Sequence, residues 1–166
     1  MVQKSPDPAS RNGAHPMRAH VLVIEARFYE AIADMLAAGA IAELTARGAT
    51  SQRITVPGAL EIPQVLAAAV AARAAGRMTF DGAIVLGCVI RGETAHYDIV
   101  CNNANHWVMD IATRHDVPVG NGILTVETEA QAIERATGGI AGKGGDAARA
   151  CLKLIEIKRG FWGQGS

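Results

Sequence analysis

Four short apolar runs, each followed by a longer segment with apolar residues at helical spacing, organise this chain. The first run, HVLVIEARF, opens after Ala19 and suits a strand; Ile32, Met35 and Leu36 then recur on one helical face until Gly48 offers a stop. A second strand is predicted over 52–56. VPGALEIP follows it, where two prolines and a glycine impose a turn, and an alanine-rich helix is predicted over 64–73. DGAIVLGCV is apolar on both faces, as a parallel strand covered from two sides must be. Beyond GETAHYD a helix of about five turns is predicted over 96–114. VPVGNGILTVE supplies a fourth strand, and ETEAQAIERATG a shorter helix with acidic residues in its first turn. The last helix, over 144–159, aligns Ala147, Cys151, Leu154 and Ile155 on one stripe.

Strands alternating with helices of this length predict a parallel sheet with right-handed crossovers and helices on both faces. The expected fold is therefore α/β, a three-layer flavodoxin-like sandwich with a four-stranded parallel sheet. Residues 1–17, with three prolines and few apolar side chains, read as a flexible N-terminal tail. Residues 18–160 read as a single domain, and 161–166 as a C-terminal tail.

Charge narrows the partners. Sixteen basic residues balance sixteen acidic ones, so no summed positive field favours nucleic acid or an anionic membrane. No stretch has the length and apolarity of a membrane span or a secretory signal. Cys88, Cys101 and Cys151 are odd in number and far apart, which suits a reduced, cytoplasmic protein. Small molecules and other protein chains remain as partners.

In a parallel sheet, ligands bind beyond the carboxyl ends of the strands, where loops converge and helix N-termini present N–H groups. Three such loops are rich in chemistry: ARFYE, VPGALEIP and CVIRGETAHYD. In the third, Gly92 lets backbone approach an anion, and Thr94 with the N–H groups of the helix start suits a phosphate. His96, one step further, is a candidate general acid and base at neutral pH. His15, His20, His106 and His115 fall in or near the tail or on polar surface, and no ligand spacing joins any histidine into a metal site. ATGGIAGKGGD invites a P-loop reading but fails it: Thr137 stands where the first glycine belongs, Gly144 follows Lys143, and a helix precedes the segment.

PGALEIP, LGCVIRGETAHYD, GILT, AIERA and KGGDAA, in this order over residues 21–157, resemble the 6,7-dimethyl-8-ribityllumazine synthases of riboflavin biosynthesis. The resemblance implies condensation of 5-amino-6-ribitylamino-uracil with 3,4-dihydroxy-2-butanone 4-phosphate, releasing phosphate and water, with no metal or organic cofactor. By the same resemblance Phe28 stacks on the pyrimidine, Ala59 and Glu61 bind the ribityl chain, and Val89 and Ile90 contact the ring. Gly92, Glu93 and Thr94 hold the phosphate, and His96 moves protons. Arg135 pairs with the phosphate from an adjacent subunit, and Lys143 approaches the pyrimidine end. A homo-oligomer is implied, a pentamer or an assembly of pentamers. Two substrate-site positions depart from the family pattern, because Leu60 and Asn121 stand where aromatic residues are usual. They motivate an alternative, a catalytically weak carrier or sensor of lumazines or flavins with the same fold.

Overall fold

The central strand pair explains most of the architecture. β1 (His20–Ala26) is buried from Val21 onward and pairs in parallel with β2 (Thr50–Val56) on one side and β3 (Gly82–Ile90) on the other. β4 (Val119–Val126) extends the sheet beyond β3, giving the all-parallel order β2-β1-β3-β4. The computed structural model describes residues 16–163, so the tail expected over 1–17 lies outside the described residues except for Pro16 and Met17. Met17 donates its N–H to the Arg47 carbonyl at 2.8 Å, and its side chain packs against the core.

Alternation along β1 feeds two cores, as the two-residue period of a strand requires. Leu22 and Ile24 face α2 (Glu61–Ala74) and α3 (His96–Arg114), where Ile62, Leu66, Ala104 and Val108 meet them. Val21 and Val23 face α1 (Glu30–Ala46), α4 (Glu129–Ala136) and α5 (Lys143–Phe161), against Leu36, Leu152 and Ile155. This is the expected three-layer sandwich. β3 is buried from Gly82 to Gly87, in keeping with its apolar text, whereas the edge strand β2 carries Gln52 and Arg53 outward.

Several boundaries shift for physical reasons. α2 begins at Glu61 rather than 64, because a proline in the first helical turn loses no hydrogen bond and Pro63 is accommodated there. β2 begins at Thr50, and α5 runs from Lys143 to Phe161. Leu154 departs from its expected stripe and is exposed; the buried line of α5 is Ala147, Ala148, Cys151, Leu152 and Ile155. Gly144 is required by close packing: a Cβ there would sit 1.9 Å from the Leu36 carbonyl oxygen, on α1.

Two carboxylates lie within this frame. Glu25 is fully buried and takes Arg53 Nε at 2.5 Å and Arg27 Nη1 at 3.1 Å. Glu43 accepts from Arg149 Nη1 at 3.1 Å, and the same guanidinium reaches the Ile140 carbonyl and Asp146. Arg149 thereby fixes the short 3-10 turn Gly139–Ala141, and with it the position from which Lys143 starts α5.

Candidate active site

Because the chain runs from β1 to β2 on one side of the sheet and from β3 to β4 on the other, the loops after β1 and β3 diverge and leave a crevice at the carboxyl ends of the strands. A pocket of about 340 Å³ occupies that crevice. Its walls come from three loops: Phe28 and Tyr29 after β1; Gly58, Ala59, Leu60 and Glu61 after β2; and Cys88, Val89, Ile90, Gly92, Thr94, His96, Tyr97 and Val100 at the junction of β3 and α3. A second cavity, of about 390 Å³, lies near Asp81 at the opposite ends of the strands. Its cations are engaged with their own chain: Arg159 with the Arg18 carbonyl, Lys158 with Asp116 and Arg73 with the Phe80 carbonyl. Location and chemistry therefore favour the first.

Nine of the residues singled out in the sequence line this pocket: Phe28, Ala59, Leu60, Glu61, Val89, Ile90, Gly92, Thr94 and His96. Phe28 is 73% exposed, its ring meeting Tyr29 edge-on at 4.9 Å. Glu61 Oε2 accepts the Gly58 N–H at 3.0 Å, so one carboxylate oxygen braces the β2 loop while holding the start of α2. Thr94 Oγ1 accepts the His96 N–H at 3.3 Å. Its own hydroxyl hydrogen is then left to donate to a ligand. A Cβ built on Gly92 would meet nothing within 4 Å, so packing within the chain gives no reason for glycine at that position.

The remaining four lie elsewhere. Glu93 is exposed on the loop without lining the pocket. Asn121 lies on β4, donating to Asn105 Oδ1 at 2.7 Å and accepting from the Ile123 N–H at 2.9 Å. Arg135 is exposed on α4 and donates to the Gln131 carbonyl; Lys143 is exposed at the first position of α5. Among the described residues, no cluster of three or more His, Cys, Asp or Glu side chains is arranged to hold a metal ion.

Residues not singled out in the sequence also form the walls, namely Tyr29, Gly58, Cys88, Tyr97 and Val100. Spacing offered a signal for two of them. Val100 lies one helical turn beyond His96, and Tyr29 follows Phe28. Burial pushes the Cys88 thiol up to about 11, with the nearby Cys101 and Glu129 adding to the shift. Burial likewise raises the phenols of Tyr29 and Tyr97. At neutral pH these walls are uncharged donors, and Cys88 is not a thiolate nucleophile.

The model of the family described as 6,7-dimethyl-8-ribityllumazine synthase matches residues 18–159. The chain belongs to the 6,7-dimethyl-8-ribityllumazine synthase family. It is 55% identical over 143 residues to the 6,7-dimethyl-8-ribityllumazine synthase of Azorhizobium caulinodans, covering 85% of this chain and 87% of that one. It is 52% identical over 141 residues to 6,7-dimethyl-8-ribityllumazine synthase 1 of Rhodopseudomonas palustris, covering 85% and 86%. The corresponding synthase of Nitrobacter hamburgensis is 48% identical over 141 residues, with the same coverage. The matched span of the lumazine synthase family includes all three loops that build the pocket.

Proposed function

We propose that this chain condenses 5-amino-6-ribitylamino-uracil with 3,4-dihydroxy-2-butanone 4-phosphate to form 6,7-dimethyl-8-ribityllumazine, releasing phosphate and water. The observation that carries this reading is the convergence of an exposed aromatic ring, a braced carboxylate and a Gly-Glu-Thr-Ala-His helix entry on one pocket, in a chain of this family. Phe28 stacks on the flat pyrimidine, while Ala59, Leu60 and Glu61 meet the ribityl chain. Val89 and Ile90 border the ring.

The phosphate belongs at the entry to α3. There the helix N-terminus, the Thr94 hydroxyl and the unencumbered backbone at Gly92 favour an anion, with Glu93 contributing through its backbone. His96 follows directly, exposed to the pocket. It accepts a proton as the amine attacks the ketone and returns protons as water and phosphate depart, within ordinary general acid/base catalysis. Holding both reactants at that distance supplies much of the rate, since orientation alone is worth roughly 7–11 kcal/mol of barrier.

Arg135 and Lys143 do not line the pocket of their own chain, and both are exposed. In this reading they serve a neighbouring subunit's pocket within a cytoplasmic pentamer or an assembly of pentamers, Arg135 on the phosphate and Lys143 at the pyrimidine end. Asn121, on β4, borders substrate across the same interface. A guanidinium suits phosphate because it offers charge and two aligned donors at once. The test is direct: purified protein is mixed with both substrates, and lumazine fluorescence and inorganic phosphate are followed together. Formation of both in equal amounts is expected; formation of neither overturns the proposal.

A further inference from the structure

Arg91 lies between the third strand and the anion-binding loop, and it does not line the pocket. Its contacts are unusual for a surface arginine. Its N–H donates to the Val126 carbonyl at 2.9 Å, while its Nε lies 2.8 Å from Glu127 Oε2, so backbone and side chain both hold the end of β4. The same guanidinium covers the Tyr97 ring at 4.2 Å from its centroid and approaches Asp98 at 3.8 Å. Tyr97 and Asp98 form the first turn of α3 beside His96, and Tyr97 is a pocket wall. Glu127 is itself anchored, its N–H donating to Gln131 Oε1 at 2.9 Å at the start of α4.

We propose that Arg91 is a positioning residue that closes the phosphate loop into a fixed span. Residues 92–95 leave β3 and enter α3, and Arg91 grips both sides: its backbone belongs to the strand side and its side chain lies on the first helical turn. Glu127 holds the guanidinium from behind, so that the cation sits over Tyr97 rather than swinging into solvent. The loop then presents its N–H groups and the Thr94 hydroxyl at one separation. The inference rests on the reading of residues 92–94 as the phosphate subsite.

The ion pairs of Arg91 are half-exposed, so they add little to global stability, and a loss of function on their removal is not a loss of fold. The experiment measures the affinity of the full-length protein for inorganic phosphate by calorimetry, alongside KM for each substrate and Tm. Arg91→Met is expected to weaken phosphate binding and to raise KM for the phosphorylated ketone, each roughly tenfold. KM for the pyrimidine and Tm should stay near wild type. Glu127→Ala should show a smaller loss in the same direction, and the double variant should lose no more than Arg91→Met alone, because Glu127 acts only through Arg91. Full retention of phosphate affinity by Arg91→Lys, or multiplying losses in the double variant, overturns the proposal: the first means that charge alone is what the loop requires, the second that Glu127 acts independently of Arg91. Failure of the wild type to form lumazine would refute the proposed reaction, while the phosphate measurement would still judge the clamp.

Discussion

Removing the Phe28 ring separates binding from folding more cleanly than any other substitution in the pocket. Phe28 is 73% exposed, and among the described residues its one aromatic partner is Tyr29, edge-on at 4.9 Å. Truncation to alanine therefore uncovers little core, and the expected loss of stability is within about 0.5 kcal/mol. With a flat pyrimidine laid on the ring, the same side chain contributes more. Covering one face removes about 50 Å² of a side chain that presents some 200 Å², worth about 1 kcal/mol by area. Ring-on-ring geometry adds roughly 0.5–1.5 kcal/mol. The sum, about 2 kcal/mol, corresponds to roughly thirtyfold in affinity.

Phe28→Ala should thus raise KM for the pyrimidine by about thirtyfold, with KM for the phosphorylated ketone within about twofold of wild type. Phe28→Leu keeps apolar area without a ring and should recover about half of that free energy, leaving roughly a fivefold defect. Steady-state rates with each substrate varied in turn, together with thermal unfolding, supply the measurements. An unchanged pyrimidine KM would refute the stacking role. Equal increases for both substrates would show that the substitution disturbs the whole pocket, and a fall in Tm beyond about 4 °C would place the ring in the fold.

His96→Asn should slow turnover by about 100- to 10,000-fold while both KM values and Tm stay close to wild type; an unchanged kcat removes the imidazole from proton transfer. Co-refolding equal amounts of the impaired His96→Asn and Arg135→Ala chains should restore activity toward roughly a quarter of wild type, since a closed ring with random placement makes that share of interfaces intact on both sides. Hybrid rings, verified by mass, that show only the average of the two parents would place Arg135 outside the shared site. Burial raises the thiols of Cys88 and Cys151, from the ordinary 9.0 to about 11 and about 12, so the folded chain retains protons that the unfolded chain releases. Stability should accordingly be full below about pH 9 and fall as pH rises toward 11 and beyond, a decline that denaturant titrations would detect and that Cys88→Ala should lessen.

The parts of the fold written in local pattern were legible, and those decided by fit were not. AIVLGCVI is apolar on both faces because helices cover β3 from two sides, and the helix that follows occupies His96–Arg114 as its spacing predicts. Pro63 misled because a proline reads as a stop, although the first turn of a helix needs no donor there. Leu154 misled in the opposite sense: it lies close to the periodic line, but burial on α5 is centred on Ala148, Cys151 and Leu152, and residue 154 falls past its edge. Tyr97 could not be found from the loop motif alone, since its place in the wall follows from the first turn of α3 folding back under Arg91.

Asn121 shows why a departure from a family pattern has to be judged from contacts. The resemblance places an aromatic residue at this position, so the amide reads first as lost stacking area. On β4 that amide is already committed: its nitrogen donates to Asn105 Oδ1, its oxygen accepts from Ile123, and Asn105 donates in turn to the Cys101 carbonyl one turn back on α3. The three bonds form a polar strut between strand and helix at a half-buried position where a ring would have relied on packing alone. A residue tied at both ends has little freedom to turn toward a ligand, and swinging it out would leave Asn105 Oδ1 and the Ile123 N–H without those partners, at a cost of about 1–3 kcal/mol for each group that stays buried. Its consequence for substrate is therefore the absence of a ring rather than a new polar contact. The aromatic surface that this chain offers in its pocket to the proposed pyrimidine substrate then belongs to Phe28, with Tyr29 and Tyr97 in the adjoining walls.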